Sequence, residues 1–226
     1  MAKSSITEEL AKMPAEGSFK EKLYYLRSAL FHPFEGFYDI RFRGKGSLAL
    51  AIVILFLYGF IECAAYQYTG FVLNLNDIHD MNSISIFLSH TLIIVLFCVS
   101  NWTVTTLFNG KGNFISIFTT VCYALIPFAI SRLLMVFLSN YIIIDEAMII
   151  YMIVGIGIVW SVFLAVSGLC VIHEYGLFQN LVAIVVSFIA AFIIVFILVL
   201  FLTLEEKMFG FIGDVVREFT RRVTLK

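Results

Sequence analysis

The sequence predicts an all-α polytopic membrane protein, with five transmembrane helices flanked by two amphipathic interfacial helices. Three observations lead there. Of 226 residues, 61% are hydrophobic and only 14% charged, whereas an ordinary soluble domain carries about 25% charged residues. Five apolar runs, at 47–68, 83–108, 114–138, 147–172 and 177–204, each reach the ~20 residues that cross a ~30 Å hydrocarbon core. Most of the charge lies in the two flanking segments, 1–46 and 205–226.

The same composition excludes several function classes. A net charge of −1 supplies no basic field for nucleic acid. The first 46 residues hold eight Lys/Arg and six acids, so they are not an acid-poor transit peptide, and the first apolar run starts too late for a cleaved signal. Cys63, Cys98, Cys122 and Cys170 all fall inside apolar runs. They form no CxxC pair and no ligand spacing, so neither a disulfide framework nor a metal or other cofactor is expected.

Taken in order, the chain opens on a polar segment, 1–17. Ser18 with Glu21 three residues on has capping-box spacing. Phe19, Leu23, Leu26 and Leu30 then share one stripe, which predicts an amphipathic helix over 18–31, too short to span, with Lys20, Glu21, Tyr25 and Ser28 on its other faces. Pro33 should end it. The stretch 32–47, HPFEGFYDIRFRGKGS, precedes the first span. It reads as a docking collar, with His32, Pro33, Phe34, Glu35, Phe37, Tyr38, Asp39, Arg41 and Arg43 as candidate partner-binding residues.

Lys/Arg placement orients the spans. Eight basic residues precede the first span, none lies in 70–82 (which holds Asp77 and Asp80), Lys111 lies in the turn 109–113, and none lies in 139–146. The amino terminus and the second loop are therefore expected inside. Five spans place the tail outside, against its own Lys207, Arg217, Arg221, Arg222 and Lys226. Within the tail Met208, Phe211, Ile212, Val215, Phe219 and Val223 share a face, the pattern of a second interfacial helix.

Three ionisable residues lie within the runs. By the helical rise Glu62 sits ~22 Å up the first span, Arg132 ~27 Å up the third, and His90 ~10 Å below the outer end of the second. All fall in the outer third, where a lone charge is costly. Glu62 and Arg132 are expected to pair, with His90 nearby. Two readings follow: a structural ion pair, or a proton- or substrate-sensitive pocket that opens outward.

At the inner ends, Asn101, Trp102, Lys111, His173 and Glu174 form a second candidate cluster. Asn101 is expected to hydrogen-bond between helices, Trp102 to anchor at the interface, and His173 and Glu174 to face the cytoplasm or cap helix ends. The turn NGKGN, 109–113, should use its glycines for positive φ. It lacks the spacing of a phosphate-binding loop. Gly157, Ser161 and Ala165 on the fourth span and Ala183, Ser187 and Ala191 on the fifth recur at steps of four, which predicts close packing of those two helices as an antiparallel hairpin. Pro127 should kink the third span.

HPFEGFYDIRFRGKGS at 32–47, QYTGF at 67–71, NWTVTTLFNGKGNFISIF at 101–118 and YALIPF at 123–128, in that order, resemble the bacterial branch of the Yip1-domain family. The resemblance implies five membrane helices, a cytoplasmic amino terminus and a bacterial plasma-membrane location. Eukaryotic members bind small GTPases through a DLYGP-type motif. HPFEGFYD stands in its place here, so that role is not carried over. Bacterial members often accompany sugar-class ABC transporter components. The expected function is a non-enzymatic accessory or scaffold protein that binds another membrane complex of this kind. Its partners would be the bilayer and that complex, with no nucleic acid, and a homo-oligomer remains compatible. The alternative is a small transporter or channel using Glu62, His90 and Arg132. A lipid-modifying enzyme ranks last, because the chain shows no paired carboxylates, activated nucleophile or zinc motif.

Overall fold

A computed structural model of the chain describes residues 19–74 and 81–224. The proposed cap at Ser18 and the acidic loop residues Asp77 and Asp80 lie outside them. Among the described residues the secondary structure is entirely helical. It comprises α1 (Phe19–Phe31), α2 (Pro33–Phe42), α3 (Leu48–Tyr68), α4 (Ser83–Leu107), α5 (Phe114–Ala124), α6 (Ile126–Leu138), α7 (Ala147–His173) and α8 (Leu177–Thr224), with one 3-10 turn at Ile144–Glu146 before α7. Five helices are long and apolar enough to cross a membrane, α5 and α6 together making the third. The protein is a multi-span membrane protein.

Caps set where three spans begin. Ser47, Asn82 and Asn113 each place a side-chain oxygen on the backbone N–H three residues on, satisfying a donor that the helix leaves free. The third span breaks at Leu125. Pro127 has no N–H to give and its ring crowds the carbonyl four residues back. The Phe128 N–H turns instead to Ser161 Oγ on α7, at 3.0 Å.

The core lies where α3, α5 and α7 meet α2, with Phe37, Ile117, Cys122, Leu164, Leu169 and Ile172 buried in it. α1 and α2 form an antiparallel hairpin. A Cβ on Gly36 would lie 2.4 Å from the Ala29 backbone, so glycine permits this crossing, and Lys45 Nζ bonds Glu21 Oε1 at 2.7 Å at the open end. The buried face of α1 is Glu21, Tyr25 and Ala29, while Phe19 and Leu23 are exposed. The predicted stripe is therefore rotated. Leu26 and Leu30 do pack inward, but the close contact with α2 needs the small Ala29, and the ion pair draws Glu21 in. Pro33 ends α1 as expected and then serves as the first residue of α2, where proline's fixed φ suits the helix.

The small-residue stripes do not face each other. Gly157 lies against Ser131 and the Pro127 carbonyl, and Ser161 against Phe128, so the α7 stripe meets α6. Ser187 lies against Asn101, and α8 packs chiefly on α4. Ala165 and Ala191 are half-buried, the former against the core. A short connection made α7 and α8 neighbours in sequence, but the bond from Asn101 turns α8 toward α4. α8 also runs from the span into the tail without a break, so no separate tail helix forms. Met208, Phe211, Ile212 and Val215 are exposed on it. The side chains of Phe219 and Val223 lie outside the described ones.

Candidate functional site: two polar clusters at opposite ends of the bundle

The far-end cluster, remote from the α1–α2 hairpin, is built from α3, α4 and α6. Glu62 is 5% exposed. Arg132 Nε donates to Glu62 Oε1 at 3.0 Å and Nη2 to Oε2 at 2.8 Å, a two-pronged geometry that only a guanidinium offers. His90 Nε2 stands 3.8 Å from Glu62 Oε2. Its Nδ1 lies 2.8 Å from the Ile86 carbonyl, one helical turn back, so this nitrogen is assigned the proton and Nε2 is the nitrogen turned to the carboxylate. A cavity of about 390 Å3 opens over the three residues, lined also by Tyr66, Thr69, Asn74 and Met135. The Tyr58 ring lies 6.3 Å from the His90 ring and 5.9 Å from that of Phe128, centre to centre. The far-end turns close one side, with Gly70 N–H donating to Ser139 Oγ at 2.8 Å.

The near-end cluster joins five elements. Asn101 is fully buried; its Nδ2 donates to Ser187 Oγ at 3.1 Å and its Oδ1 lies 3.2 Å from His173 Nε2. An amide oxygen only accepts, so the histidine proton is assigned to Nε2 and Nδ1 is left as an acceptor. His173 is 1% exposed and its ring stacks on Tyr175, 5.3 Å away. Two atoms here are buried without a hydrogen-bond partner, His173 Nδ1 and Arg41 Nε. Arg41 donates from Nη2 to the Lys111 carbonyl, and Lys111 Nζ bonds Glu174 Oε2 at 2.5 Å. Tyr175 donates its hydroxyl to the Phe108 carbonyl at 3.0 Å, and burial pushes that hydroxyl above the usual phenol range.

Several expectations change at this end. His173, the last residue of α7, does not face solvent but is buried; Glu174 is exposed and is the C-cap of that helix, as one of the two expectations had it. Gly110 and Gly112 do not supply positive φ, which Asn109 takes at 59°. They are glycine because a Cβ on Gly110 would fall 2.7 Å from the Tyr175 hydroxyl and 2.8 Å from His173 Nδ1, and one on Gly112 2.7 Å from both His173 and Ile172. Phe37, placed among the partner-binding residues, is fully buried over Gly168, because the hairpin turns that side of α2 to the core. His32, Phe34, Glu35, Tyr38 and Arg43 remain exposed, and Pro33, Asp39 and Arg41 are half-buried. Trp102 is half-exposed and meets Phe114 edge-on at 6.1 Å.

Sequence reasoning missed the roles of Arg41, Tyr175 and Ser187 as partners in one latch. Their separations in the chain hide it, although Tyr175 at two residues past His173 was a local signal. Among the described residues no cluster of three His, Cys, Asp or Glu side chains could hold a metal ion.

A family model described as the Yip1 domain matches residues 27–199, from the α1 helix to within α8. Neither a curated protein nor a solved structure gives a significant match. With a match over well more than half of its length and five spanning helices in the fold, this chain belongs to the Yip1-domain family of multi-span membrane proteins.

Proposed function

We propose that the chain is a non-enzymatic accessory or scaffold protein that docks another integral membrane complex, of the sugar-class ABC transporter type, through the outward face of α2. One observation carries this reading. Phe34, Tyr38 and Phe42 stand 59%, 49% and 49% exposed at four-residue spacing, while Phe37 and Ile40 on the other side anchor the same helix in the core. Tyr38 and Phe42 rings lie 4.6 Å apart. The result is a fixed aromatic ridge with Arg43 at its end. Rigid aromatics with an arginine rim are what binding hot spots favour. The eight amino-terminal basic residues favour the cytoplasmic side of a bacterial plasma membrane for this ridge.

The test is co-purification with ABC transporter components in mild detergent. The variant Phe34→Ser/Tyr38→Ser leaves the core anchors in place and should lose the partner. Recovery of the wild-type protein free of any such component would overturn the proposal.

The far-end cavity favours a second reading, a small transporter or channel using Glu62, His90 and Arg132. Solute flux into liposomes that contain only this protein, abolished in Glu62→Gln, would establish it.

A further inference from the structure

The α1–α2 hairpin runs along the spans rather than across their ends, and its deep end carries charge. Three contacts set its depth. At the open end Arg41 donates to the Lys111 carbonyl in the near-end turn. Midway, a Cβ on Gly168 would meet Thr120 at 2.4 Å and Phe37 at 3.1 Å, so Phe37 lies ~8–9 Å along both spans from their near ends at Phe114 and His173. At the tip, Leu30 and Phe31 line a cavity with Ile126 of the third span and Trp160 of α7, ~18–20 Å from the same ends.

The third span and α7 hold 25 and 27 residues. Their ~38 and ~40 Å exceed a ~30 Å hydrocarbon core by ~4–5 Å at each end. Counted from Phe37 or from the cavity, the tip at 31–33 then sits about 10–15 Å inside the core, in the deep half of its leaflet. Three ionisable side chains are exposed there: His32 on the turn, Glu35 ~3 Å and Arg27 ~6 Å back toward the surface. None of them forms an ion pair among the described residues. Phe31 and Phe34, 65% and 59% exposed, flank them. A charge turned to lipid at this depth is costly, and such residues in membrane proteins are paired or hydrated. Arg27 can carry its guanidinium toward the headgroups on a long stem. Glu35 has no such reach.

We propose that the hairpin tip is the contact between two copies of this chain, with Arg27 of each copy paired to Glu35 of the other. A two-fold axis along the membrane normal uses the same patch on both copies and keeps every residue at its own level. Arg27 and Glu35 differ in level by only ~3 Å, which the arginine side chain covers. Each copy offers one positive and one negative group, so a second copy satisfies both at once, through charge-assisted bonds of the strong kind. Phe31 and Phe34 pack around the pairs and exclude lipid from them. Phe42 and Arg43, ~14 Å toward the surface along α2, stay outside the contact. The inference therefore does not rest on the accessory reading, and either can fail alone.

The experiment reconstitutes the full-length protein into phosphatidylcholine liposomes as equal mixtures of donor- and acceptor-labelled copies. Energy transfer is read at a dilution where an unrelated monomeric membrane protein gives none. The wild-type protein should give transfer. Arg27→Glu and Glu35→Arg each set like charges against one another, and each should lose it. Donor-labelled Arg27→Glu mixed with acceptor-labelled Glu35→Arg restores opposite charges at both contacts and should recover it. Glu35→Gln, the mildest change, should weaken transfer, and melting temperatures check that each variant is folded. A wild-type protein without transfer would overturn the proposal, as would unaltered transfer in Glu35→Gln. So would two folded charge variants that fail to associate when mixed, which would assign Glu35 to a different protein or to Arg27 of its own chain.

Discussion

Arg132 holds both carboxylate oxygens of Glu62, at 3.0 and 2.8 Å, and so ties α6 to α3 inside the spanning bundle. The contact lies just beyond the break at Leu125, so it fixes the segment that Pro127 frees.

Removing one partner of a buried ion pair leaves a charge without compensation and costs about 3–5 kcal/mol. Arg132 keeps 23% side-chain exposure, which places Glu62→Gln near the lower end of that range. The double replacement Glu62→Leu/Arg132→Leu should cost less than either single one. Thermal unfolding in detergent measures all three. If Glu62→Gln proves as mild as Glu206→Gln on exposed α8, the pair does not stabilise the bundle.

At the near end, the Asn101 side chain on α4 bonds both α7 and α8. Asn101→Leu should leave His173 Nε2 buried and unpaired, with Ser187 Oγ keeping only its own-helix bond to the Ala183 carbonyl, and lose about 1–3 kcal/mol. Ser187→Ala removes one inter-helix bond, from Asn101 Nδ2, and one own-helix bond, to the Ala183 carbonyl, and should lose about 1 kcal/mol. The ranking, read from melting temperatures, checks the hub position of Asn101.

Glycines in this chain divide by what surrounds them. Gly36 and Gly157 would place a Cβ 2.4 and 2.1 Å from Ala29 and Ser131 atoms, so Gly36→Leu and Gly157→Leu should destabilise by overpacking, by about 1–3 kcal/mol or more. Gly210 meets nothing within 4 Å, and Gly210→Ala should be neutral or gain up to about 1 kcal/mol of helix propensity. Protease sensitivity of the α1–α2 hairpin separates Gly36→Leu, which should expose it, from Gly210→Ala, which should not.

Tyr175 predicts an alkaline effect. Its folded hydroxyl is held above the ordinary phenol value, which is about 10. As pH rises past that value the unfolded chain loses this proton first, so stability falls from there until the folded group also titrates. Tyr175→Phe should lose about 1 kcal/mol at neutral pH with the bond to Phe108, yet show a shallower decline above about pH 10. Parallel alkaline declines in the two proteins would show that Tyr175 does not contribute to it.

Span number and fold class are legible in the sequence because hydrocarbon demands long apolar helices, and composition alone records that demand. Helical rise converts chain position into height, so the level shared by Glu62, His90 and Arg132 is legible too. Azimuth is not legible in that way. Every face of a membrane helix is apolar, so the small-residue stripes could not say that α7 turns to α6 and α8 to α4. The same blindness hid the burial of Phe37.

The chain by itself thus determined a helical, five-span architecture with most of its charge in the two flanking segments, because burial in lipid acts on each segment separately. The tertiary structure decided which way each helix faces. It folded α1 against α2 through Gly36, gathered Arg41, Asn101, His173 and Ser187 into one latch, and seated Arg132 on Glu62. Those outcomes depend on close packing and directional hydrogen bonds between residues far apart in the chain, Asn101 and Ser187 being 86 positions apart, and no local pattern encodes them.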